Sequence, residues 1–110
     1  MMKRLYLFLF YLLLSLQLTA RPKLVATINI LADMASKVAG DAMEVRSLLP
    51  SGTDPHTYEP RPMDAALLAE ADVIVTNGLH LEGWLDKLIQ SAGGKARILV
   101  ASKMVEPIRA

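Results

Sequence analysis

Residues 71–94 read ADVIVTNGLHLEGWLDKLIQSAGG, and this stretch decides the fold. Asp72 to Thr76 is rich in β-branched residues and reads as a strand. Asn77-Gly78 then turns the chain. Between two strands such a pair would signal a hairpin, but the segment that follows is helical. Leu81, Trp84, Leu85, Leu88, Ile89 and Ala92 fall on one apolar helical face, which Gly93-Gly94 ends. The turn therefore connects a strand to a helix, and a strand that returns to its sheet through a helix runs parallel to its neighbour.

Working outward, the same unit recurs in kind though not in sequence. Leu24 to Ile28 reads as a buried strand, followed by Asn29 as a helix cap and by Ile30, Leu31, Met34, Ala35, Val38 and Ala39 on one helical face. Gly40 closes that helix as a left-handed cap would. Glu44 to Leu49 alternates weakly, and this second strand is stopped by Pro50. Residues 50–62 carry Pro50, Pro55, Pro60, Pro62 and one glycine, a composition that forbids regular structure and makes the longest loop of the chain. Pro62 suits the first position of a helix with Asp64 in its first turn, and Met63, Leu67 and Ala71 recur at intervals of four. Arg97 to Ala101 supplies a fourth strand. The expected architecture is α/β: a four-stranded parallel sheet with flanking helices and right-handed crossovers. In such sheets ligands gather outside the carboxyl ends of the strands.

Composition bounds what the fold can do. The chain has 110 residues, 12 basic against 11 acidic, 53% hydrophobic and no cysteine, which allows one small domain. A net charge of +1 gives no electrostatic footprint for nucleic acid. Without cysteine there is no disulfide scaffold, zinc ribbon or thiol catalysis. The apolar excess is largely terminal. Met1 to Arg4 is a short cationic start, Leu5 to Leu14 is an unbroken apolar run, and Ser15 to Ala20 turns more polar, the plan of a secretory signal peptide over residues 1–20. The run is well short of the roughly 20 apolar residues that cross a bilayer as a helix, so no stable membrane anchor is expected after cleavage. Cleavage after Ala20 fits, although Leu18 is bulkier than such a site prefers, and no lipid-carrying thiol is expected behind it. Residues 21–110 are then one partial α/β lobe, nearly neutral and periplasmic.

Two histidines fall on the expected functional edge: His56 in the loop after the second strand and His80 just after the third. His80, between Leu79 and Leu81 at a helix start, is accounted for as a solvated residue. His56 is held between Pro55 and Thr57 in a loop stiffened by four prolines. A neutral imidazole so fixed suits a metal ligand, with Asp54 or Glu59 as a carboxylate partner or as the group orienting its second nitrogen, against ordinary solvation of those carboxylates.

The run Pro50-Ser51-Gly52-Thr53-Asp54-Pro55-His56-Thr57-Tyr58-Glu59-Pro60, with Asn77-Gly78-Leu79-His80-Leu81-Glu82 and Trp84-Leu85 beyond it, resembles the zinc and manganese solute-binding proteins of metal-importing ABC transporters. The resemblance extends from about Lys23 to Ala101. It implies an exported receptor that captures a divalent transition metal and delivers it to the membrane permease of an ABC importer. In that family two α/β lobes are joined by a long helix and the metal lies between them. His56 matches the family's first metal ligand; no ligand role is carried onto His80. The resemblance further implies ligands beyond residue 110, so that the chain is expected to be a signal peptide plus most of a first lobe and to bind metal weakly on its own. Imidazole and carboxylate donors suit Zn2+ or Mn2+, and Fe2+ as well. Two other classes are weaker: an adhesin-like, metal-independent interaction module on the same fold, and a small α/β hydrolase, for which Ser51 beside His56 would be the pair to find. The chain has no G-x-S-x-G, G-x-G-x-x-G or Walker motif to support catalysis.

Overall fold

The computed structural model describes residues 1–17 and 20–109. Leu18 and Thr19, beside the expected cleavage point, and Ala110 lie outside the described residues. The elements are α1 (Met2–Gln17), β1 (Lys23–Ala26), α2 (Asn29–Ala39), β2 (Glu44–Ser47), α3 (Pro62–Glu70), β3 (Val73–Thr76), α4 (Leu85–Ala92) and β4 (Arg97–Val100).

The four strands form one parallel sheet in the order β2-β1-β3-β4. Leu24 lies opposite Val45 on one side and Val73 on the other, while Ile74 faces Ile98. The sequence pattern required this arrangement, because each pair of consecutive strands is separated by a helix. The central strands carry the core: Val25, Ala26 and Ile74 are buried, and Leu48, Leu49, Leu68, Ala71, Leu85 and Leu88 complete it. The second strand stops being regular at Ser47, yet the Leu48 and Leu49 amides still donate to the Ala26 and Thr27 carbonyls at 2.8 and 3.0 Å. The ladder therefore reaches Pro50 as expected, and the difference is one of boundary definition.

Five local expectations are corrected. Asn29 is the first helical residue rather than the cap of α2; Ile28 holds the cap position in extended backbone without a side-chain bond. Gly40 ends that helix at φ 53, ψ −125, which is outside the left-handed helical region, though its amide still reaches the Ser36 carbonyl. The apolar row of α2 splits: Ile30, Met34 and Val38 are exposed, while Leu31, Ala35 and Ala39 turn partly inward. In α3 the buried face is offset by one residue from Met63 and Leu67, onto Asp64 and Leu68. Leu68 meets the core, and Asp64 is drawn inward by hydrogen bonds that spacing alone does not reveal. The third amphipathic helix is also shorter than its apolar stripe, because Leu79 and His80 adopt positive φ (55 and 61) and delay α4 to Leu85.

α1 contains the amino-terminal apolar run, with side chains exposed from Met1 to Ser15. Its 16 residues correspond to about 24 Å at the helical rise, short of the roughly 30 Å hydrocarbon layer. Among the described residues no helix is long and apolar enough to cross a membrane.

Candidate metal centre

Because the strands are parallel, every strand exits on the same edge of the sheet. The loop carrying His56 leaves β2 there, and the turn carrying His80 leaves β3. The His56 loop is fastened to the core from two directions. Trp84, at the entrance to α4, donates its indole N–H to the Pro55 carbonyl at 2.7 Å. Tyr58 packs its ring on Trp84 with centroids 5.2 Å apart and donates its hydroxyl to Asp64 Oδ2 at 2.6 Å. Both rings lie against the hydrophobic core. The residue between Pro55 and Thr57 is thus carried on backbone that the core holds in place.

The imidazole itself is 64% exposed. Asp54 Oδ1 accepts the His56 backbone N–H at 2.9 Å and lies 3.2 Å from Nδ1. The backbone hydrogen bond from His56 is the main reason the Asp54 carboxyl stays below its usual value. A carboxylate beside Nδ1 favours the tautomer with the proton on that nitrogen and the lone pair on Nε2, the one a metal ligand needs. Asp54 is therefore the orienting partner of the two carboxylates considered. No hydrogen bond joins Glu59 to His56 among the described residues, and none joins Ser51 to it, so the pair a hydrolase would need is not formed. Beside the loop an open depression is lined by Ile28, Ile30, Leu49, Pro50, Thr53 and Leu81. Among the described residues no three His, Cys, Asp or Glu side chains gather into a group able to hold a metal.

The edge also contains a buried carboxylate, Glu82, to which the sequence motif alone assigns no role. Glu82 Oε1 accepts the Thr27 hydroxyl at 2.6 Å and the Asn77 amide at 2.8 Å, while Oε2 lies 3.3 Å from the Gly78 amide. It ties the end of β1 to the turn after β3 and fixes the left-handed Leu79-His80 pair ahead of Trp84. His80 is exposed on that turn. Asp64 was equally missed as a site residue. Burial works against its charge, but hydrogen bonds from Tyr58, from the Arg61 amide and from the Arg61 guanidinium outweigh it and hold the carboxyl low. Burial, followed by the bond to Asp64, pushes the Tyr58 hydroxyl up. Arg61 and Asp64 stand at the spacing of a helix start, but the bonds from Tyr58 to Asp64 and from Thr27 to Glu82 cross loops, where periodicity gives no signal.

Residues 24–110 match the family described as zinc-uptake complex component A, periplasmic. The chain belongs to this family. The manganese ABC transporter substrate-binding lipoprotein PsaA of Streptococcus pneumoniae is 45% identical over 74 residues, covering 64% of this chain and 24% of that protein. The iron ABC transporter substrate-binding lipoprotein MtsA of Streptococcus pyogenes serotype M1 is 46% identical over 74 residues, with the same coverage of 64% and 24%. The periplasmic zinc binding protein TroA from Treponema pallidum superposes with a TM-score of 0.72 at 30% identity, over 79% of this chain and 31% of that one. The chain thus spans about a quarter of the length of these curated relatives. For the zinc-uptake family the four-stranded parallel lobe is the matching fold, and the relatives are named as transporter substrate-binding proteins rather than enzymes. Their names include manganese, iron and zinc, so family membership leaves the metal open. Two are named lipoproteins, whereas this sequence contains no cysteine.

Proposed function

We propose that this chain is the metal-presenting part of a periplasmic receptor that takes a divalent transition metal as substrate, with His56 as one of its ligands. On this reading residues 1–20 are a signal peptide, residues 21–110 form a partial first lobe, and the receptor passes its cargo to the membrane permease of an ABC importer. Zn2+ and Mn2+ are the leading substrates, and the donor chemistry also suits Fe2+. The observation that carries the proposal is the placement of His56: an exposed imidazole, oriented by Asp54, on a loop clasped to the core at the carboxyl edge of a parallel sheet. Family membership and three relatives named for manganese, iron and zinc support the substrate class.

Titration with Mn2+, followed by paramagnetic broadening of assigned amide resonances, tests the reading. Broadening is expected first at residues 54–58 and is expected to vanish there in His56→Ala. Broadening scattered over surface carboxylates, or unchanged in that variant, would sink the assignment.

A further inference from the structure

We propose that Asp64 is a positioning residue for His56, acting through the Tyr58 hydroxyl and the Tyr58–Trp84 ring contact; the proposal rests on the reading of His56 as a ligand. The imidazole has no support from the core. Its ring contact is with Asp54, whose side chain is 59% exposed. Its direction is therefore set by the backbone of the loop, and that backbone is fastened at two points flanking His56. One is the Pro55 carbonyl, one residue before it, which accepts from Trp84. The other is Tyr58, two residues after it, whose hydroxyl meets Asp64 at 2.6 Å.

These two fastenings are one assembly, because the Tyr58 ring packs on the Trp84 ring. Asp64 is its deepest polar member, with a side chain 3% exposed. At the start of α3 the part of Asp64 in the capping box is to accept the Arg61 amide, which donates to Oδ2 at 2.7 Å. The bond from Tyr58 reaches back across the loop to the same oxygen, and ordinary helix capping does not call for it. A carboxylate suits this task better than an amide. It offers acceptors to all converging donors at once, and its bonds are charge-assisted. Loss of the Tyr58 bond frees the ring to slide on Trp84. The strap between Pro55 and Tyr58 then widens the range of directions the imidazole samples. Affinity falls because a ligand that must be ordered on binding binds less tightly.

The test uses the full chain, with Zn2+ as probe and the His56 ring resonances as readout, well below the melting transition. Tyr58→Phe removes one hydroxyl and keeps the ring. It is expected to raise the Zn2+ dissociation constant about tenfold, the lower end for groups that orient a metal ligand. Asp64→Asn, which removes the charge that strengthens this bond, is expected to act in the same direction, and the double variant to be no worse than the stronger single, because both act through the Tyr58–Asp64 bond. Unchanged Zn2+ affinity in a folded Tyr58→Phe protein, with only a lower melting point, would overturn the proposal, as would strictly additive effects. Should Asp64→Asn fail to fold, Tyr58→Phe decides alone. His56→Ala separates the two readings. If it titrates like the parent chain, the ligand assignment fails; if it loses the response while Tyr58→Phe keeps parental affinity, the positioning role alone fails.

Discussion

At residue 64 a carboxylate is stabilised in its charged form by neighbours that would lose those bonds on unfolding. Its folded pKa lies below the ordinary 3.8, so its contribution to stability is present above that value and is lost as pH falls through the folded pKa. We predict that the melting midpoint of the chain drops on acidification below about pH 4, and that Asp64→Asn flattens this limb. The same variant should cost about 1–2 kcal/mol at neutral pH through weakened buried hydrogen bonds. Melts between pH 7 and pH 3 check both statements. Asp54 is lowered too, but its exposure leaves it little weight in the limb. The position of His56 in a loop at the sheet edge was legible in the sequence, because a proline-bounded motif follows the second strand. Asp64, Tyr58 and Trp84 were not read as one unit, because their partnership spans 6 residues in one case and 29 between Pro55 and Trp84 in the other.

Among the elements, the turn between β3 and α4 is the most constrained. Gly78 has φ +80, and a Cβ there would fall 2.6 Å from both Ser102 Oγ and Val100 Cγ1. Gly78→Ala is expected to destabilise by roughly 2–3 kcal/mol, combining backbone strain with displacement of the segment after β4. Gly52, at φ +79 with nothing within 4 Å, provides the contrast: its alanine variant should cost about 1 kcal/mol, for conformation alone. Urea denaturation of the two variants measures the difference, and equal losses would refute the steric argument. The same turn explains why the apolar stripe from Leu81 predicted too long a helix. Leu81 and Trp84 are partly buried before the helix begins, just after the left-handed Leu79-His80 bend that Glu82 holds together. Burial and helical period coincided there without a helix.

At the scale of the molecule, the two edges of the sheet differ. β2 carries Glu44 and Arg46, paired at 2.9 Å, while β4 shows Ile98, Leu99 and Val100 at 45%, 47% and 40% exposure. An edge strand whose only charge is Arg97 at its start, followed by three exposed apolar residues, is a template for association. We predict that residues 21–110 self-associate or melt low, and that Leu99→Lys reduces association in sedimentation measurements. A monomer melting cooperatively above about 60 °C, in the upper mesophile range, would contradict this.

Two levels of information are separable in this chain. The order of strands and helices along the chain, their parallel sense and the edge that carries His56 and His80 were determined by sequence alone. Hydrophobic period and the proline-rich break are local properties, and a crossover helix leaves a parallel sheet as the outcome. Which face of α2 and α3 is buried, where α4 starts and what holds the His56 loop were decided only by tertiary structure. Hydrogen bonds from Trp84 and Thr27 reach partners 29 and 55 residues away, those from Tyr58 and Asn77 bridge turns of no regular period, and a buried polar group goes where its partners are.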